Sequence, residues 1–187
     1  NIIEKLAEFR KNNTNFFGPS FDTICGSGPN GAIIHYRANT ETNRIIKNGD
    51  LILIDSGGQY LEGTTDLTRT IGFGKVNYFK RKQYTLIMKG MIAFSKLKWP
   101  IGLTGKDLDS IPRYHLWQEN LDYEHGTGHG VGSFLSVHEG PQAISKRNEV
   151  ELKPGMIVSN EPGYYLQNSH GIRIENLLLI KEPKEQS

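Results

Sequence analysis

Apolar residues recur at helical spacing at the start of the chain, at Ile2, Ile3, Leu6 and Phe9, and the turn-forming residues Asn12 to Asn15 end the pattern. A helix is predicted to open the chain. From Phe21 to Phe73 the texture changes to short apolar or alternating runs: Phe21 to Ile24, Ala32 to Tyr36, Leu51 to Asp55, Gln59 to Leu61 and Thr64 to Ile71. Turn residues at Gly28 to Gly31, Asn48 to Asp50, Ser56 to Gly58 and Glu62-Gly63 separate them, the pattern of an antiparallel meander. Tyr78 to Lys98 returns to helical periodicity, with Leu86, Ile87, Met91, Phe94 and Leu97 on one face. A further helix is expected over Asp107 to Trp117, with Thr104 and Asp107 in capping-box spacing and Pro112 inside it. Strand-like runs resume at Tyr123 to His125, Met156 to Asn160, Tyr164 to Leu166 and Ile172 to Ile180. The order helix, strands, two helices, strands predicts an α+β fold with helices packed outside a curved antiparallel sheet.

Composition narrows the classes. With 187 residues, 36% of them apolar, the chain can bury a core without disulfides or a structural metal, and Cys25 stands alone. The 22 basic and 20 acidic residues are interspersed and leave a net charge of +2, which points neither to nucleic acid nor to an anionic membrane. The longest wholly apolar runs, Leu51 to Ile54 and Leu177 to Ile180, are too short to span a bilayer. No repeat or linker divides residues 1–187, which are expected to form one domain, excised from a longer protein because the chain begins inside a helical pattern. The 21 glycines exceed the roughly 7% typical of soluble proteins, so some part of the chain uses glycine heavily.

Gly26 to Gly31 carries the letters of a dinucleotide fingerprint, but Pro29 and Asn30-Gly31 lead into the β-like run Ala32 to Tyr36 rather than a helix, so a plain loop is expected. Asp55 ends an apolar run and Asp66 sits within the strand-like TTDLTRT. Either alone reads as an exposed edge residue; a buried carboxylate after four apolar residues needs a cation or strong donors. Three of the six histidines fall between His125 and His138, framed by Gly126, Gly128, Gly130 and Gly132. Those glycines disfavour a zincin helix and let the backbone pass close beside a neighbour, bringing His129 and its flanking histidines to one point. Glu161 and Glu175 are acids in apolar strands, although Glu175 also lies two residues from Arg173 and is able to pair with it. Four carboxylates balance two dications, and one imidazole among oxygen ligands suits Mn²⁺ and other borderline divalent ions, about 3.5 to 4 Å apart with a bridging hydroxide between them.

These segments, GPNGAIIHY around His35, IDSG, GTTDLTRT, HGTGHGVGSFLSVHEGP, EPGYY and GIRIEN, stand in an order that resembles the catalytic domain of the Xaa-Pro aminopeptidases, within the pita-bread group that also holds prolidase and methionine aminopeptidase. The resemblance covers nearly the whole chain. It implies two divalent ions, Mn²⁺ first with Zn²⁺ or Co²⁺ as the other candidates, bound by Asp55, Asp66, His129, Glu161 and Glu175, with Asp66 and Glu175 bridging. It further implies hydrolysis of the Xaa-Pro bond by a metal-bridging hydroxide with Glu161 as general base, assisted by His35 and His138, and a proline site lined by His125, Tyr165 and Arg173. N-terminal domains, a C-terminal extension, a homodimer and a cytoplasmic location are expected of the whole protein. Prolidase is the alternative within the group; the nine-residue step from His129 to His138 favours the aminopeptidase branch, and GIRIEN argues against methionine aminopeptidase. A non-catalytic pita-bread binding domain is disfavoured by the complete ligand set. A nucleophilic hydrolase is disfavoured because Cys25 lies in an apolar run, as a core residue does.

Overall fold

The computed structural model describes residues 1–182. Helix α1 (Ile2–Lys11) forms where the periodicity places it, capped by Asn1 Oδ1, which accepts the Glu4 amide at 2.9 Å. Strands β1 (Phe16–Pro19), β2 (Ile24–Ser27), β3 (Leu51–Ser56), β4 (Gly58–Tyr60), β5 (Gly63–Thr64) and β6 (Leu67–Gly72) follow, all antiparallel where paired, but not as a simple meander. β3 lies between β2 and β6, whereas the β4–β5 hairpin folds away to pair with β1. The run Ala32 to Tyr36 is not a strand: Gly28–Ala32 turn as a 3₁₀ helix and further turns follow, Ile33 N–H donating to Asn30 O and Tyr36 N–H to Ile33 O. Pro29 starts that turn with a suitable φ and no amide to lose. Asp66 lies in the break between β5 and β6 rather than inside a strand.

Helix α2 (Tyr78–Ser95) buries Ile87, Gly90, Met91 and Phe94, on the face its periodicity marks. The expected helix over Asp107 to Trp117 divides into α3 (Gly105–Leu108) and α4 (Ser110–Trp117). The break at Asp109 puts Pro112 in the first turn of α4, where a missing amide breaks no intrahelical bond. The Asp107 carboxylate accepts from both the Thr104 amide and its hydroxyl at 2.8 Å, as the spacing predicts. α2 and α4 pack closely because Gly90 has no Cβ; one built there would lie 2.1 Å from Pro112 O.

The second half contains β7 (Gly128–His129), β8 (Ala143–Ile144), β9 (Ile157–Asn160), β10 (Gly163–Leu166), β11 (His170–Arg173) and β12 (Asn176–Leu179), paired as β7–β8, β9–β12 and β10–β11. Tyr123 to His125 is not a strand, because the carbonyls of Tyr123 and His125 accept from the Arg113 guanidinium, at 2.7 and 2.6 Å, instead of a neighbouring strand. The run Ile172 to Ile180 breaks at Ile174-Glu175, where the chain changes partner from β10 to β9 and the Glu175 amide donates to Thr68 O. One core cluster joins Leu51, Ile87, Met91, Leu116, Ile172 and Ile174, and a second joins Phe94, Leu108, Ile144, Leu152, Val158 and Ile180. Both lie between helices and ladders, the helix-outside arrangement expected. Among the described residues no helix is long and apolar enough to cross a membrane.

Candidate metal centre

The expected ligands come together at the ends and breaks of the ladders. Asp55 is in β3, Asp66 between β5 and β6, His129 in β7, Glu161 between β9 and β10, and Glu175 between β11 and β12. Only Asp55 among the acids is a strand residue. At the other positions the backbone is leaving one ladder for another, which frees the side chain to turn into the shared space.

Ligand atoms of Asp55, Asp66 and Glu175 lie within 4.8 Å of one another, as do those of His129, Glu161 and Glu175, and those of Asp66, His129 and His138. Asp66 and Glu175 each belong to the all-carboxylate group and to a group containing His129, the placement that bridging ligands require. His129 Nδ1–H donates to Gly130 O at 2.9 Å, which turns Nε2 toward the cluster, 3.3 Å from Asp66 Oδ2 and 3.2 Å from Glu161 Oε1. Gly128 permits this: a Cβ there would lie 1.8 Å from Ser159 O. The His129 amide then donates to Ser159 Oγ at 2.9 Å, and that hydroxyl donates to Glu161 Oε1 at 2.9 Å. Thr68 Oγ1–H donates to Glu175 Oε2 at 2.7 Å.

Four buried side-chain polar atoms among the described residues have no hydrogen-bond partner, and three of them are Asp55 Oδ1, Asp66 Oδ1 and Glu175 Oε1. A buried orphaned oxygen on a carboxylate is costly, and three in one cluster fit cations. The proton affinities agree. Burial pushes the Asp55 carboxyl up to about 6 against the pull of the Arg173 guanidinium, with the Asp66 carboxylate adding to the rise. Burial, then the carboxylates of Glu161, Asp66 and Asp55, pushes Glu175 well above the usual carboxylate range. Burial alone disfavours the His129 cation, yet the Asp66 and Glu161 carboxylates outweigh it and lift the imidazole to about 10. Against the same burial, His129 holds Glu161 below its ordinary value. The cluster demands positive charge, and its oxygen-rich donors with one imidazole fit divalent ions of borderline hardness.

The remaining expected site residues divide. His138 meets His129 edge-on with ring centroids 4.1 Å apart, and His35 is exposed, close enough for its charge to lower the His138 imidazole after burial and His129 have done so. His125 donates from Nδ1 to Gly126 O and accepts at Nε2 from the Tyr165 hydroxyl, both at 2.8 Å. That hydroxyl in turn accepts from Arg173 Nη1 at 2.8 Å. Arg173, expected to line the proline site, is 2% exposed and pairs with Asp55 at 2.7 Å, so it acts behind Asp55 and Tyr165. It does not pair with Glu175, the bland explanation for that acid. Sequence reading missed Ser159, Thr68, Thr127, Asp109 and Arg113, all buried around the cluster. Of these, Asp109 and Arg113 leave a trace in the letters, an acid and a base four residues apart.

The model of metallopeptidase family M24 matches residues 1–182. The chain is 54% identical over 184 residues to a protein of Tuber melanosporum named Probable Xaa-Pro aminopeptidase P, covering 97% of this chain and 30% of that one. A namesake from Phaeosphaeria nodorum is 53% identical over 182 residues, 96% of this chain and 28% of the relative. The chain thus spans less than a third of the length of these curated relatives. Among solved structures it superposes on the X-prolyl aminopeptidase of Caenorhabditis elegans, described as a cytosolic enzyme with a di-nuclear active site, with a TM-score of 0.90 and 39% identity over 94% of this chain and 29% of that one. Prolidase from Pyrococcus furiosus gives 0.88 and 36% over 97% of this chain and 52% of that one. With a family match over residues 1–182 and the pita-bread architecture of these neighbours, the chain belongs to metallopeptidase family M24.

Proposed function

We propose that this chain is the catalytic part of a dinuclear metalloaminopeptidase that releases the N-terminal residue from peptides with proline in second position. The observation that carries the reading is the cluster of orphaned carboxylate oxygens beside His129, in a chain 54% identical to a relative named Probable Xaa-Pro aminopeptidase P. Asp55, Asp66, His129, Glu161 and Glu175 would hold two divalent ions, with Asp66 and Glu175 shared and Mn²⁺ the first candidate. Such ions, when bound, supply Lewis-acid polarisation of the scissile carbonyl and a water acidified enough to act near neutral pH.

The chain's own residues do the rest. Ser159 fixes Glu161 through Oε1, leaving Oε2 as the oxygen that takes a proton from the attacking water and returns it to the departing proline nitrogen. His138 and His35, exposed at the rim, donate hydrogen bonds to the peptide on either side of the scissile bond. An Xaa-Pro amide has no N–H, so proline is selected by packing; His125 and Tyr165, locked edge-on at 5.4 Å between ring centroids, offer a rigid wall for the pyrrolidine ring. The whole protein is proposed to be a cytoplasmic homodimer.

The deciding assay compares Xaa-Pro dipeptides with longer Xaa-Pro-Yaa peptides on the Mn²⁺-loaded full-length protein. Cleavage of both classes, with none when the second residue is Ala, is the expected result. Cleavage confined to dipeptides would replace the aminopeptidase reading with prolidase, the activity named for the Pyrococcus neighbour.

A further inference from the structure

A second buried charged cluster lies outside the ligand set. Arg113, on α4 and 2% exposed, uses every donor of its guanidinium. Nε donates to Asp109 Oδ2 at 2.9 Å; Nη1 donates to Asp122 Oδ1 and Tyr123 O, both at 2.7 Å; Nη2 donates to Asp109 Oδ1 at 3.3 Å and His125 O at 2.6 Å. The plane of the guanidinium also lies over the Tyr123 ring, 3.8 Å from its centroid. Asp109, 1% exposed, is equally engaged, because Oδ1 accepts the Thr127 amide at 3.1 Å and the Thr127 hydroxyl at 2.8 Å. The Tyr123 hydroxyl is left to donate to Thr127 Oγ1, at 2.5 Å.

The pair therefore grips alternate residues 123, 125 and 127 of the segment that continues to His129. Its reach goes one step further: Thr127 O accepts the Glu161 amide at 2.8 Å. Tyr123 and His125 pack at its start, but Gly126 and Gly128 offer no side chain between them and His129, so contacts to the backbone must carry the register across that stretch. A bare hydrophobic contact cannot do so, since it does not distinguish neighbouring registers; directional donors to alternate carbonyls do.

We infer that Asp109 and Arg113 are positioning residues that set His125, His129 and, through Thr127, Glu161 in the geometry that binds metal and turns over substrate. The inference rests on the function proposed above for the cluster. Neither residue touches substrate or ion; they act through the backbone of the glycine segment. An ion pair needed for stability alone would cost folding free energy on disruption without altering the folded protein's affinity for metal.

The test uses three variants of the full-length protein. Arg113→Lys keeps the charge but lacks the planar five-donor fork. Thr127→Val removes the hydroxyl link to Asp109 at nearly constant volume, and Thr127→Ser restores it. Calorimetric titration of the metal-free proteins with Mn²⁺ is expected to show affinity weakened about 10-fold in Arg113→Lys and at least about 3-fold in Thr127→Val, with kcat falling in parallel and Thr127→Ser near wild type. Should Arg113→Lys not fold, the Thr127 pair decides alone. Folded Arg113→Lys and Thr127→Val proteins with Mn²⁺ affinity and kcat within about twofold of wild type, whatever their melting temperatures, overturn the inference. The titration reads no turnover, so failure of the wild type to cleave Xaa-Pro peptides would remove the proposed function and leave this test standing.

Discussion

Arg173 and Glu175, two residues apart in the chain, are both buried and meet burial in opposite ways. Arg173 has partners in Asp55 at 2.7 Å and the Tyr165 hydroxyl at 2.8 Å. Glu175 has a donor on Oε2 and nothing on Oε1. Removing the arginine strands a buried Asp55 carboxylate, so Arg173→Leu is expected to destabilise the metal-free protein by about 3 to 5 kcal/mol, read by urea unfolding. A loss below about 1 kcal/mol would mean that the pair is not the charge compensation for Asp55. Removing the glutamate has the contrary character, because it relieves crowding of carboxylates in the metal-free protein while deleting a proposed ligand. Glu175→Ala is expected to stay folded, to bind at most one Mn²⁺ by calorimetry and to lose peptidase activity. Binding of two ions by Glu175→Ala would refute the bridging role.

Elements are held to one another here by single side chains and by the absence of them. Gly128 lets β7 approach β9 closely enough for the His129 amide to reach Ser159 Oγ. Gly128→Ala must therefore push the strands apart and is expected to cost activity and several degrees of melting temperature. Gly18→Ala in β1, where a Cβ meets nothing within 4 Å, is the control that stays near wild type. β11 is tied to α2 by His170, whose Nε2–H donates to Gln83 Oε1 at 2.7 Å while Nδ1 accepts from Ser169 Oγ at 2.9 Å. Both contacts use the neutral ring, and burial, with the Lys80 charge adding to it, lowers the imidazole to about 4. A folded value below the ordinary 6.5 means that the unfolded chain takes up the proton first. The stabilising effect is complete above 6.5 and is lost as pH falls toward 4, on the order of 3 kcal/mol in all. The stability gap between wild type and His170→Gln is expected to shrink over that interval, and a constant gap would contradict the assignment. The letters carried α1, α2 and β3, and they singled out the five residues Asp55, Asp66, His129, Glu161 and Glu175 that the fold brings together, because periodicity, acids in apolar runs and a glycine-framed histidine are local signals. They did not carry the break at Asp109, the turns after Pro29 or the grip of Arg113 on 123–127, because each is decided by a partner distant in sequence or by a competing hydrogen bond.

On the scale of the whole molecule, the proposed ligand set draws on almost every ladder. Asp55 comes from the β2–β3–β6 ladder, Asp66 from the junction before β6, His129 from β7–β8, and Glu161 and Glu175 from the links joining β9–β12 to β10–β11. Among the described residues no hydrogen-bonded ladder joins all of these, so bound ions would act as a common staple between parts that the described backbone connects pairwise. Unfolding separates the ligands and abolishes the site, so ion binding adds directly to folding stability. At free Mn²⁺ about 100-fold above the dissociation constant, each site contributes roughly 2.7 kcal/mol. A domain of this length changes its melting temperature by roughly 2 to 4 °C per kcal/mol. Chelation is therefore expected to lower the melting temperature of the wild type by roughly 5 to 10 °C per ion lost, and the loss should be restored by Mn²⁺ in a concentration-dependent way. Glu175→Ala, short of a shared ligand, should respond to chelator by half of that or less. A wild-type melting temperature that stays within about 1 °C on chelation, in protein shown by elemental analysis to have lost its metal, would mean that the ladders hold the carboxylates together without help and that the staple is not part of the fold's stability.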